Sequence, residues 1–537
     1  MLSKEDKKEL RGDLFRHLDG IVTAPTAFAL HNKGVTNYLI EHGACEVDDL
    51  AKHFNANEGN LNVALRVLAS QGWLEYNIDN ENNTVTYSTN PKSQMAFSLF
   101  HVYEECVDLM KISGKFHPRK FEKEPFQVMS KLFRNYLNSM GMDKSIDKSG
   151  SEIQEQVLKH IEGVLVGPTA VALGMGGMFH NYFMQTSFKA EEFHEDFESF
   201  ETLLFHFSEI GWFKKNESTY SFTDKGLFFA KRASAYGVTV SYIPNFRYLD
   251  ELIFGDPNVL WNAPEGSPEL HVDREMNVWG SGGAHATYFK KIDEIIISIF
   301  NKPINEQPKG IVDMGCGNGA FLEHLFQVID QRTLRGEMLD EHPLFLVGAD
   351  FNQAALKVSR ANLIKADIWA KVIWGDIGRP DILAEDLKRD YDISLGDLLN
   401  VRTFLDHNRV WEAPEGTRTE TSASSGAFAY RGQRISNNDV EQGLLEHLKK
   451  WTPYVERFGL LMIELHTIAP HLAAANLGRT AATAYDATHG FSDQYIVEVD
   501  VFNKMAKEAG LFPVEKFFHK FPNSELATVS INLLRGK

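Results

Sequence analysis

Residues 310–329 read GIVDMGCGNGAFLEHLFQVI, and this stretch decides how the C-terminal half of the chain folds. A short apolar run leads into three closely spaced glycines, and an apolar pattern with helical spacing follows them. A strand, a glycine-rich turn and a helix in that order are typical of a parallel α/β unit. The glycines permit a tight turn and let a ligand approach the backbone at the carboxyl end of the strand.

Further apolar runs predict the other strands of the same sheet. They read LFLVGAD, KVIWGD, DISLGDLL and GLLMIEL, and PVEKFFHKF with ATVSINLL then alternates like an antiparallel hairpin that closes the sheet. Apolar strands that are buried on both faces and joined by helices are typical of a mostly parallel sheet. We therefore predict a Rossmann-like α/β domain with seven strands over residues 306–537, beginning after the turn-rich NKPINEQPKG.

The N-terminal half contains a repeat. DGIVTAPTAFAL at 19–30 reappears as EGVLVGPTAVAL at 162–173, and LASQGWLEYN at 68–77 is answered by FSEIGWFKKN at 207–216. Each copy reads as three helices and a β-hairpin, which is the winged-helix order. We predict winged-helix-like units over 1–100 and 156–236, with a helical linker over 101–155 between them. A helical substrate-capping region is predicted over 237–305.

Charge and composition narrow the classes of partner. The 55 basic and 73 acidic residues give a net charge of -18, which provides no general attraction to nucleic acid or anionic lipid. A DNA-reading third helix needs Lys or Arg, but the first copy offers only Arg66 there. The second copy offers Glu198, Glu201 and Glu209 instead. Scattered cysteines, an N-terminus without the apolar core of a signal peptide, and no run of about 18 apolar residues predict a cytoplasmic protein with no nucleic-acid or membrane partner.

The glycine loop fits two cofactors on spacing alone. Gly315, Gly317 and Ala320 satisfy a loose dinucleotide pattern, G-x-G-x-x-A. Asp313 argues against a dinucleotide, because a carboxylate at this position would oppose a pyrophosphate yet could help to hold an ammonium group. S-adenosylmethionine (SAM) has an ammonium group and no phosphate. The residues Asp313, Gly315, Gly317 and Gly319 resemble the D-x-G-x-G-x-G signature of class I SAM-dependent methyltransferases.

Later strand ends extend this resemblance. Asp350 ends the second strand, where an acidic residue can accept hydrogen bonds from both ribose hydroxyls. Asp376 and Ile377 follow the third strand, and the resemblance implies that they contact the adenine. It also implies a cofactor contact for Asp397 in the fourth apolar run, near the donor methyl group. An ordinary helix cap is the alternative for each acid taken alone.

Arg402, Asp406 and His407 come after the fourth strand and are the candidate catalytic residues. Small-molecule O-methyltransferases with an N-terminal winged-helix dimerisation domain use a histidine soon after this strand as general base. His407 is the nearest match, although LDHNR departs from their H-D-W run. A histidine can take a phenolic proton near neutral pH. A surface or capping histidine is the alternative. The same resemblance implies a homodimer formed through the N-terminal units.

A second resemblance spans roughly residues 240–537. HVDREMNVWGSGGAHATYF at 271–289, LHTIAP and DATHGFSDQY resemble methyltransferase domains of polyketide synthase loading modules. Some of those domains methylate an acyl group on an acyl carrier protein, and some hold a metal beside SAM. The resemblance implies that Ser281, His285 and Tyr288 lie on a helix over the cofactor, and core packing is the alternative.

Carbon methylation requires a base and a group that stabilises the enolate oxygen, which a metal does well. The candidate metal ligands are His466, His489, Asp493 and Gln494. Mixed nitrogen and oxygen ligands would suit iron or manganese. A polar lid over the acceptor is the alternative role for these residues.

Residues 411–436 are poor in aliphatic side chains and rich in Ser, Thr, Gly and Ala, which predicts a segment that cannot pack a core. A mobile lid over the substrate and a disordered insertion are both compatible with this composition. Taken together, the sequence predicts SAM-dependent methyl transfer, first to the carbon of an acyl or polyketide-type acceptor. Methylation of a small-molecule hydroxyl or carboxylate is the alternative, and a SAM-sensing winged-helix regulator that reads DNA is the third hypothesis.

Overall fold

The computed structural model describes residues 2–113, 116–117, 120–121, 123–143, 147–264, 267 and 269–537, and among these the side chains of all but 116–117, 120–121, 123 and 283–287. The described chain forms two compact units. The first comprises Met1–His285, Ala427–Ile435 and Ala469–Asp493, and the second comprises Ala286–Gly426, Ser436–Ile468 and Gln494–Lys537. The sequence pattern had assigned 427–435 and 469–493 to the C-terminal domain, whereas their packing places them in the first unit.

Up to residue 300 the structure is mainly helical. Its helices are α1 Lys4–Asn32, α2 Val35–His42, α3 Val47–Phe54, α4 Glu58–Ser70, α5 Ser93–Ser98, α6 Glu104–Ile112, α7 Lys123–Leu137, α8 Lys148–Met175, α9 Asn181–Gln185, α10 Phe197–Glu209, α11 Asp224–Ala230, α12 Ser234–Ser241, α13 Ile243–Phe246, α14 Leu249–Phe254 and α15 Arg274–Phe300. Its strands are β1 Ala44–Glu46, β2 Glu75–Asp79, β3 Thr84–Ser88, β4 Phe116–His117, β5 Lys120–Phe121, β6 Phe213–Asn216 and β7 Thr219–Phe222.

After residue 300 strands and helices alternate. The strands are β8 Gly310–Met314, β9 Phe345–Asp350, β10 Ala370–Trp374, β11 Leu398–Thr403, β12 Phe428–Tyr430, β13 Gln433–Ile435, β14 Leu460–Leu465, β15 Phe512–Pro513, β16 His519–Phe521 and β17 Val529–Arg535. The helices are α16 Ala320–Arg332, α17 Leu334–Glu337, α18 Gln353–Lys365, α19 Pro380–Tyr391, α20 Asn437–Val455, α21 Pro470–Ala474, α22 Ala482–Gly490 and α23 Val499–Glu508.

The tandem winged-helix prediction is confirmed. In the first copy, α2, α3 and α4 precede the β2–β3 hairpin, to which β1 adds a third antiparallel strand. In the second copy, α8, α9 and α10 precede the β6–β7 hairpin. The repeated sequences at 19–30 and 162–173 lie in the long helices α1 and α8, which introduce the two copies.

Helices α1 and α8 cross where the two copies of the repeat match. A Cβ atom on Gly20 would lie 2.2 Å from the Cα of His160, and one on Gly163 would lie 2.3 Å from the carbonyl oxygen of His17. Both residue pairs are related by the repeat offset, so the copies pack about an approximate two-fold axis. Because no side chain fits at the crossing, glycine is required on each helix. One helix of the described chain, α8, is long and apolar enough to span a membrane, but 78% of that apolar window is buried in protein.

The outer side of α4 is covered by the later segments of the first unit. A Cβ on Gly59 would lie 2.5 Å from the carbonyl oxygen of Gln433, the first residue of β13. Arg66, the base considered for DNA contact, is 2% exposed, and its Nε lies 2.9 Å from an Asp486 carboxylate oxygen on α22. In this copy the third helix therefore contacts protein rather than solvent.

The second unit is built on one twisted sheet, which confirms the predicted Rossmann-like fold. Its strand order is β10-β9-β8-β11-β14-β17-β15, and β16 also pairs with β17. The first five strands in this order are parallel, and β17 is antiparallel to β14. Strand β14 pairs along one edge of β17, and the short strands β15 and β16 pair one after the other along its opposite edge. The sheet therefore has eight strands but is seven strands wide. The parallel strands bring the ends of β8, β9, β10, β11 and β14 to one edge of the sheet.

Candidate active site

The glycine loop lies at the carboxyl end of β8, which is the middle one of the five parallel strands. Gly315, Gly317 and Gly319 have φ angles of 78°, 55° and 82°, in the left-handed region that favours glycine. A Cβ on Gly315 would lie 2.9 Å from Leu405, whereas one on Gly317 would have no atom within 4 Å. The loop therefore packs against the end of β11 on one side and leaves open space at Gly317, where a ligand can approach the backbone.

Asp313 lies beneath this loop and is 2% exposed. Its Oδ2 atom is buried and has no hydrogen-bond partner within the described chain. Burial, together with the nearby charge of Asp350, raises the pKa of Asp313 well above its ordinary value. A cationic group bound beside Asp313 and Asp350 would offset the free-energy cost of burying a charged carboxylate at Asp313. The residues present thus fit the ammonium and sulfonium charges of SAM.

Asp350 ends β9 beside the loop. One of its carboxylate oxygens accepts a hydrogen bond from the backbone N–H of Gly317 at 3.0 Å, and the other accepts one from Asn352 at 2.8 Å. The next residue, Phe351, is 63% exposed and lies beside Trp374, with the ring centroids 5.7 Å apart. Sequence reasoning assigned Phe351 no role. The signal available in the sequence was an aromatic residue directly after the acidic residue that ends the strand.

Asp376 and Ile377 follow β10 at the same edge of the sheet. A carboxylate oxygen of Asp376 accepts a hydrogen bond from the backbone N–H of Gly378 at 2.8 Å, which forms a local turn. The backbone carbonyl of Ile377 accepts a hydrogen bond from Nε1 of Trp451 at 2.8 Å, and the Ile377 side chain is 8% exposed. The predicted adenine contacts are therefore held in a fixed loop beside β9.

The three candidate catalytic residues meet at the ends of β11 and β14. The side chain of His407 is 5% exposed and its Nδ1 is hydrogen-bonded to Oε1 of Glu464. The other oxygen of Glu464 accepts a hydrogen bond from the backbone N–H of Asp406 at 2.9 Å. This contact fixes the loop that carries both His407 and Leu405, the residue that packs against Gly315 of the glycine loop. Because His407 is buried and paired with a carboxylate, an ordinary helix-capping role does not account for its position.

Arg402 and Asp406 support this loop from below. The Nε of Arg402 lies 3.2 Å from an Asp406 oxygen, and its guanidinium carbon lies 4.5 Å from the centre of the Trp451 ring. His447 lies 3.0 Å from the other Asp406 oxygen. Although burial raises the pKa of Asp406, the Arg402 and His447 contacts hold it below its ordinary value. These residues position the loop and keep Asp406 ionised.

Glu464 is a candidate functional residue that sequence reasoning missed. It is 1% exposed and lies in β14, whose other residues are all apolar and buried. A single acidic residue near the end of an otherwise apolar strand costs folding free energy unless it is paired. That lone charge within GLLMIEL was the available signal.

Asp397 lies at the opposite edge of the sheet, which corrects its predicted cofactor contact. It immediately precedes β11, so roughly 20 Å of strand separates it from the carboxyl edge. Its carboxylate lies 2.8 Å from Nζ of Lys309 and 3.2 Å from Arg457. The apolar run DISLGDLL contains a short 3₁₀ turn, Leu395–Asp397, ahead of the strand. The predicted strand was therefore displaced toward the N-terminus.

Ser281, His285 and Tyr288 all lie on α15, as the sequence predicts. The Tyr288 ring contacts the rings of Phe404 and Phe521, with centroid distances of 6.2 and 5.1 Å, so it lies near the end of β11. The hydroxyl of Ser281 donates to the carbonyl of Val278 in its own helix, at 3.1 Å. The His285 side chain lies outside the described residues.

The four predicted metal ligands are divided between the two units. His466 and Gln494 belong to the second unit, and His489 and Asp493 belong to the first. His466 donates from Nδ1 to the Val497 carbonyl at 3.0 Å, and its Nε2 accepts from the Ser530 hydroxyl at 2.7 Å.

The other candidates are also engaged in the protein. His489 contacts the Tyr485 carbonyl at 2.7 Å, and Asp493 lies 3.5 Å from Arg431. Across the described parts of the chain, no group of three or more His, Cys, Asp or Glu side chains could hold a metal ion. The predicted iron or manganese ligand set is corrected accordingly.

Within residues 411–426 of the second unit, residues 412–413, 415–417 and 419–421 are exposed, whereas Ser422, Ser424 and Gly426 are buried, contrary to the expectation that this stretch cannot pack a core. The Ser422 hydroxyl and the Ala423 N–H donate to Glu441, at 2.5 and 3.2 Å. The hydroxyl and N–H of Ser425 donate to Glu498, at 2.6 and 2.8 Å. Ser424 is 1% exposed. Small polar residues can be buried here because two carboxylates satisfy their donors.

Comparison with family models matches three parts of the chain. Residues 10–76 match the AprA N-terminal domain, residues 162–256 match the AprA winged helix domain, and residues 269–532 match the AprA MT2-like domain, a methyltransferase family. A comparison with curated protein sequences finds no match.

Comparison with solved structures finds methyltransferases of low sequence identity. The mitomycin 7-O-methyltransferase MmcR is 12% identical, with a TM-score of 0.38 over 72% of this chain and 100% of that chain. The riboflavin-derivative dimethyltransferase RosA from Streptomyces davawensis is 12% identical, with a TM-score of 0.36 over 71% and 99%. The CurJ carbon methyltransferase is 10% identical, with a TM-score of 0.33 over 76% and 99%.

Proposed function

The chain contains an AprA MT2-like methyltransferase domain and is a SAM-dependent methyltransferase, and from this premise we propose that it methylates an acceptor from which His407 removes a proton. The observation that carries this proposal is the buried His407–Glu464 pair at the edge of the sheet that also bears the glycine loop. When bound, SAM supplies a methyl group on a cationic sulfur that is already activated for transfer.

The donor half of the site would be formed by residues at three strand ends. Asp313 would face the positive charge of SAM, Asp350 would accept hydrogen bonds from the ribose, and Asp376 with Ile377 would contact the adenine. Phe351 and Tyr288 would add aromatic contacts at the two sides. These roles follow from the sheet edge that the residues share and from the family pattern.

His407 would act as the general base. The carboxylate of Glu464 accepts the hydrogen bond from Nδ1–H, so Nε2 is the basic nitrogen in this tautomer. His407 would take the proton that the acceptor loses, while bound SAM would supply the methyl group and its sulfur would retain the electron pair of the carbon–sulfur bond. The negative charge of Glu464 then stabilises the imidazolium, as in other histidine–carboxylate pairs. No further reactant is needed to take up the proton or the electron pair.

The acceptor class that we favour is an acyl group whose reactive carbon lies between two carbonyls, borne as a thioester on a carrier protein. Such a carbon is acidic enough for a histidine base to assist its methylation. The alternative acceptor is a small-molecule hydroxyl such as a phenol, for which the same His407–Glu464 base would suffice. The homodimer and the cytoplasmic location remain part of this proposal.

One labelling experiment separates the two acceptors. The enzyme would be incubated with trideuteromethyl SAM and either a malonyl thioester or a simple phenol, and fragment mass spectrometry would locate the label. Label on the carbon between the carbonyls supports the favoured acceptor, and label on the phenol oxygen supports the alternative. Full transfer to either acceptor by His407→Ala would contradict the proposed base.

A further inference from the structure

The outer face of α10, in the second winged-helix copy, is exposed and acidic. Phe197 and Phe205 are 47% and 46% exposed, and Glu198, Thr202 and Glu209 are exposed along the same face. Residues 189–216 contain seven acidic residues and three lysines. Lys215 is paired with Glu201 at 3.0 Å. With this pair set aside, acidic residues still outnumber lysines in this segment. Two large aromatic side chains on an exposed charged helix indicate an interaction surface.

The repeat shows that the same helix face docks protein in the other copy. Helices α4 and α10 are both 13 residues long and correspond residue for residue. Positions Gly59, Val63 and Arg66 of α4 contact Gln433, Gly490 and Asp486 of the covering segments. The matching positions of α10 are Glu198, Thr202 and Phe205, which are exposed. In α4 the basic residue lies on the helix and the acidic residue lies on the segment that covers it. Helix α10 carries acidic residues instead, so a surface that complements it would be cationic.

The second unit exposes a helix with the complementary character. On and beside α18, Val358, Ile364 and Trp369 are 49%, 70% and 91% exposed. Residues 351–374 contain four basic residues and one acidic residue in a chain of net charge -18. Lys357 and Lys365 are exposed on the same helix as these apolar side chains. A basic helix with an exposed tryptophan matches the acidic aromatic face of α10 in charge and in apolar content.

We propose that the homodimer is two-fold symmetric and that α10 of each copy lies against α18 of the other, in place of an interface formed through the N-terminal units alone. Glu198 and Glu209 pair with Lys357 and Lys365 across each contact, and Phe205 packs with Ile364 and Trp369. Two-fold symmetry provides both contacts at once, so each exposed face in one copy is covered by its complement in the second copy.

Charge reversal tests this dimer directly. One variant carries Glu198→Lys and Glu209→Lys, the other carries Lys357→Glu and Lys365→Glu, and light scattering after gel filtration measures the mass of each. The wild-type chain is expected at twice its mass of 60.8 kDa. Each double variant should weaken the dimer about tenfold or more, because like charges then oppose each other at both contacts. The exposed reversal Glu155→Lys on α8 is the control and should stay dimeric.

Mixing the two double variants gives the sharpest result. In a mixed dimer, one contact joins the two introduced lysines on α10 to the two introduced glutamates on α18, and the other contact is unchanged. The mixture is therefore expected to return to twice 60.8 kDa, which a folding defect in either variant would not allow. A mixture that stays at the mass of one chain, or double variants that stay dimeric alone, overturns the proposal. A wild-type chain that is monomeric also overturns it and leaves α10 to a different, cationic protein.

Discussion

The buried carboxyl of Asp313 links cofactor affinity to the stability of the free protein. Its raised pKa means that the charged form is disfavoured before the cofactor binds. Asp313→Asn is therefore expected to weaken SAM binding by roughly tenfold or more, because a charged contact is lost. Titration calorimetry over a pH series measures this. The wild-type affinity should rise with pH as the carboxyl ionises, whereas the Asn variant should lack that component.

Asp313→Asn should weaken SAM binding but raise the stability of the cofactor-free protein. A group whose pKa is raised in the folded state contributes stability below its unfolded pKa and loses that contribution as the pH rises through the folded pKa. The cofactor-free Asp313→Asn variant is thus expected to melt at a higher temperature than the wild type near neutral pH. An equal or lower melting temperature would contradict the electrostatic role assigned to Asp313.

His407 and Glu464 make separable contributions to the reaction. Loss of a general base costs about 10²- to 10⁴-fold in rate, so His407→Ala should lower kcat within that range and leave SAM affinity unchanged. Glu464→Gln should lower kcat less and shift the pH–rate profile, because the carboxylate acts through the histidine. The exposed residue His342 provides a control variant, His342→Ala, which is expected to keep wild-type kcat. A His407→Ala enzyme with unchanged kcat would remove the histidine from the mechanism.

At the scale of elements, residues 418–423 are held by Glu441, which is 1% exposed. Glu441 accepts from Ser422 and Ala423 and lies 3.3 Å from Nε of Arg418. Glu441→Ala is expected to lower the free energy of unfolding by about 3 kcal/mol, because a buried partner is removed. Glu412→Ala breaks a pair with Lys450 in which Glu412 is 71% exposed, so about 0.5 kcal/mol or less is expected. Urea unfolding compares the two variants, and equal losses would show that the segment is not held in this way.

The crossing of α1 and α8 gives a second test at this scale. Gly20→Ala would place a Cβ 2.2 Å from the His160 backbone, so the helices must separate. The expected loss in free energy of unfolding is about 3 kcal/mol or more. Gly12→Ala, in the same helix, meets the end of the Arg16 side chain at 3.3 Å and should be nearly neutral. A well-tolerated Gly20→Ala in thermal unfolding would argue against the close crossing.

Local pattern predicted the elements that depend on neighbouring residues. The glycine loop, the strand ends at Asp350 and Asp376, and the two winged-helix copies follow from spacing that is visible in the sequence. Features that depend on distant residues were not predictable in this way. Glu464 acquires its role only because β14 pairs beside β11. Asp397 was misplaced because an apolar run cannot show where a 3₁₀ turn ends and a strand begins.

At the scale of the whole molecule, the N-terminal half of the sequence does not contain the complete first unit. Residues 427–435 and 469–493 follow the glycine loop in the chain, yet they cover α4 in the first unit. The predicted metal ligands illustrate the consequence, because His466 and His489 lie only 23 positions apart in the numbering but belong to different units. Sequence proximity is thus a poor guide to shared sites in this part of the chain.

The central claim is that the edge formed by β8, β9 and β10 binds SAM rather than a dinucleotide. Titration calorimetry with SAM and with NAD, on the wild type and on Asp350→Asn, tests it most directly. We expect one SAM per chain, no NAD binding, and a loss of SAM affinity of roughly 10- to 100-fold in Asp350→Asn from the lost charged hydrogen bonds. The exposed variant Asp381→Asn should bind as the wild type does. NAD binding at this edge, or SAM affinity unchanged in Asp350→Asn, would contradict the account.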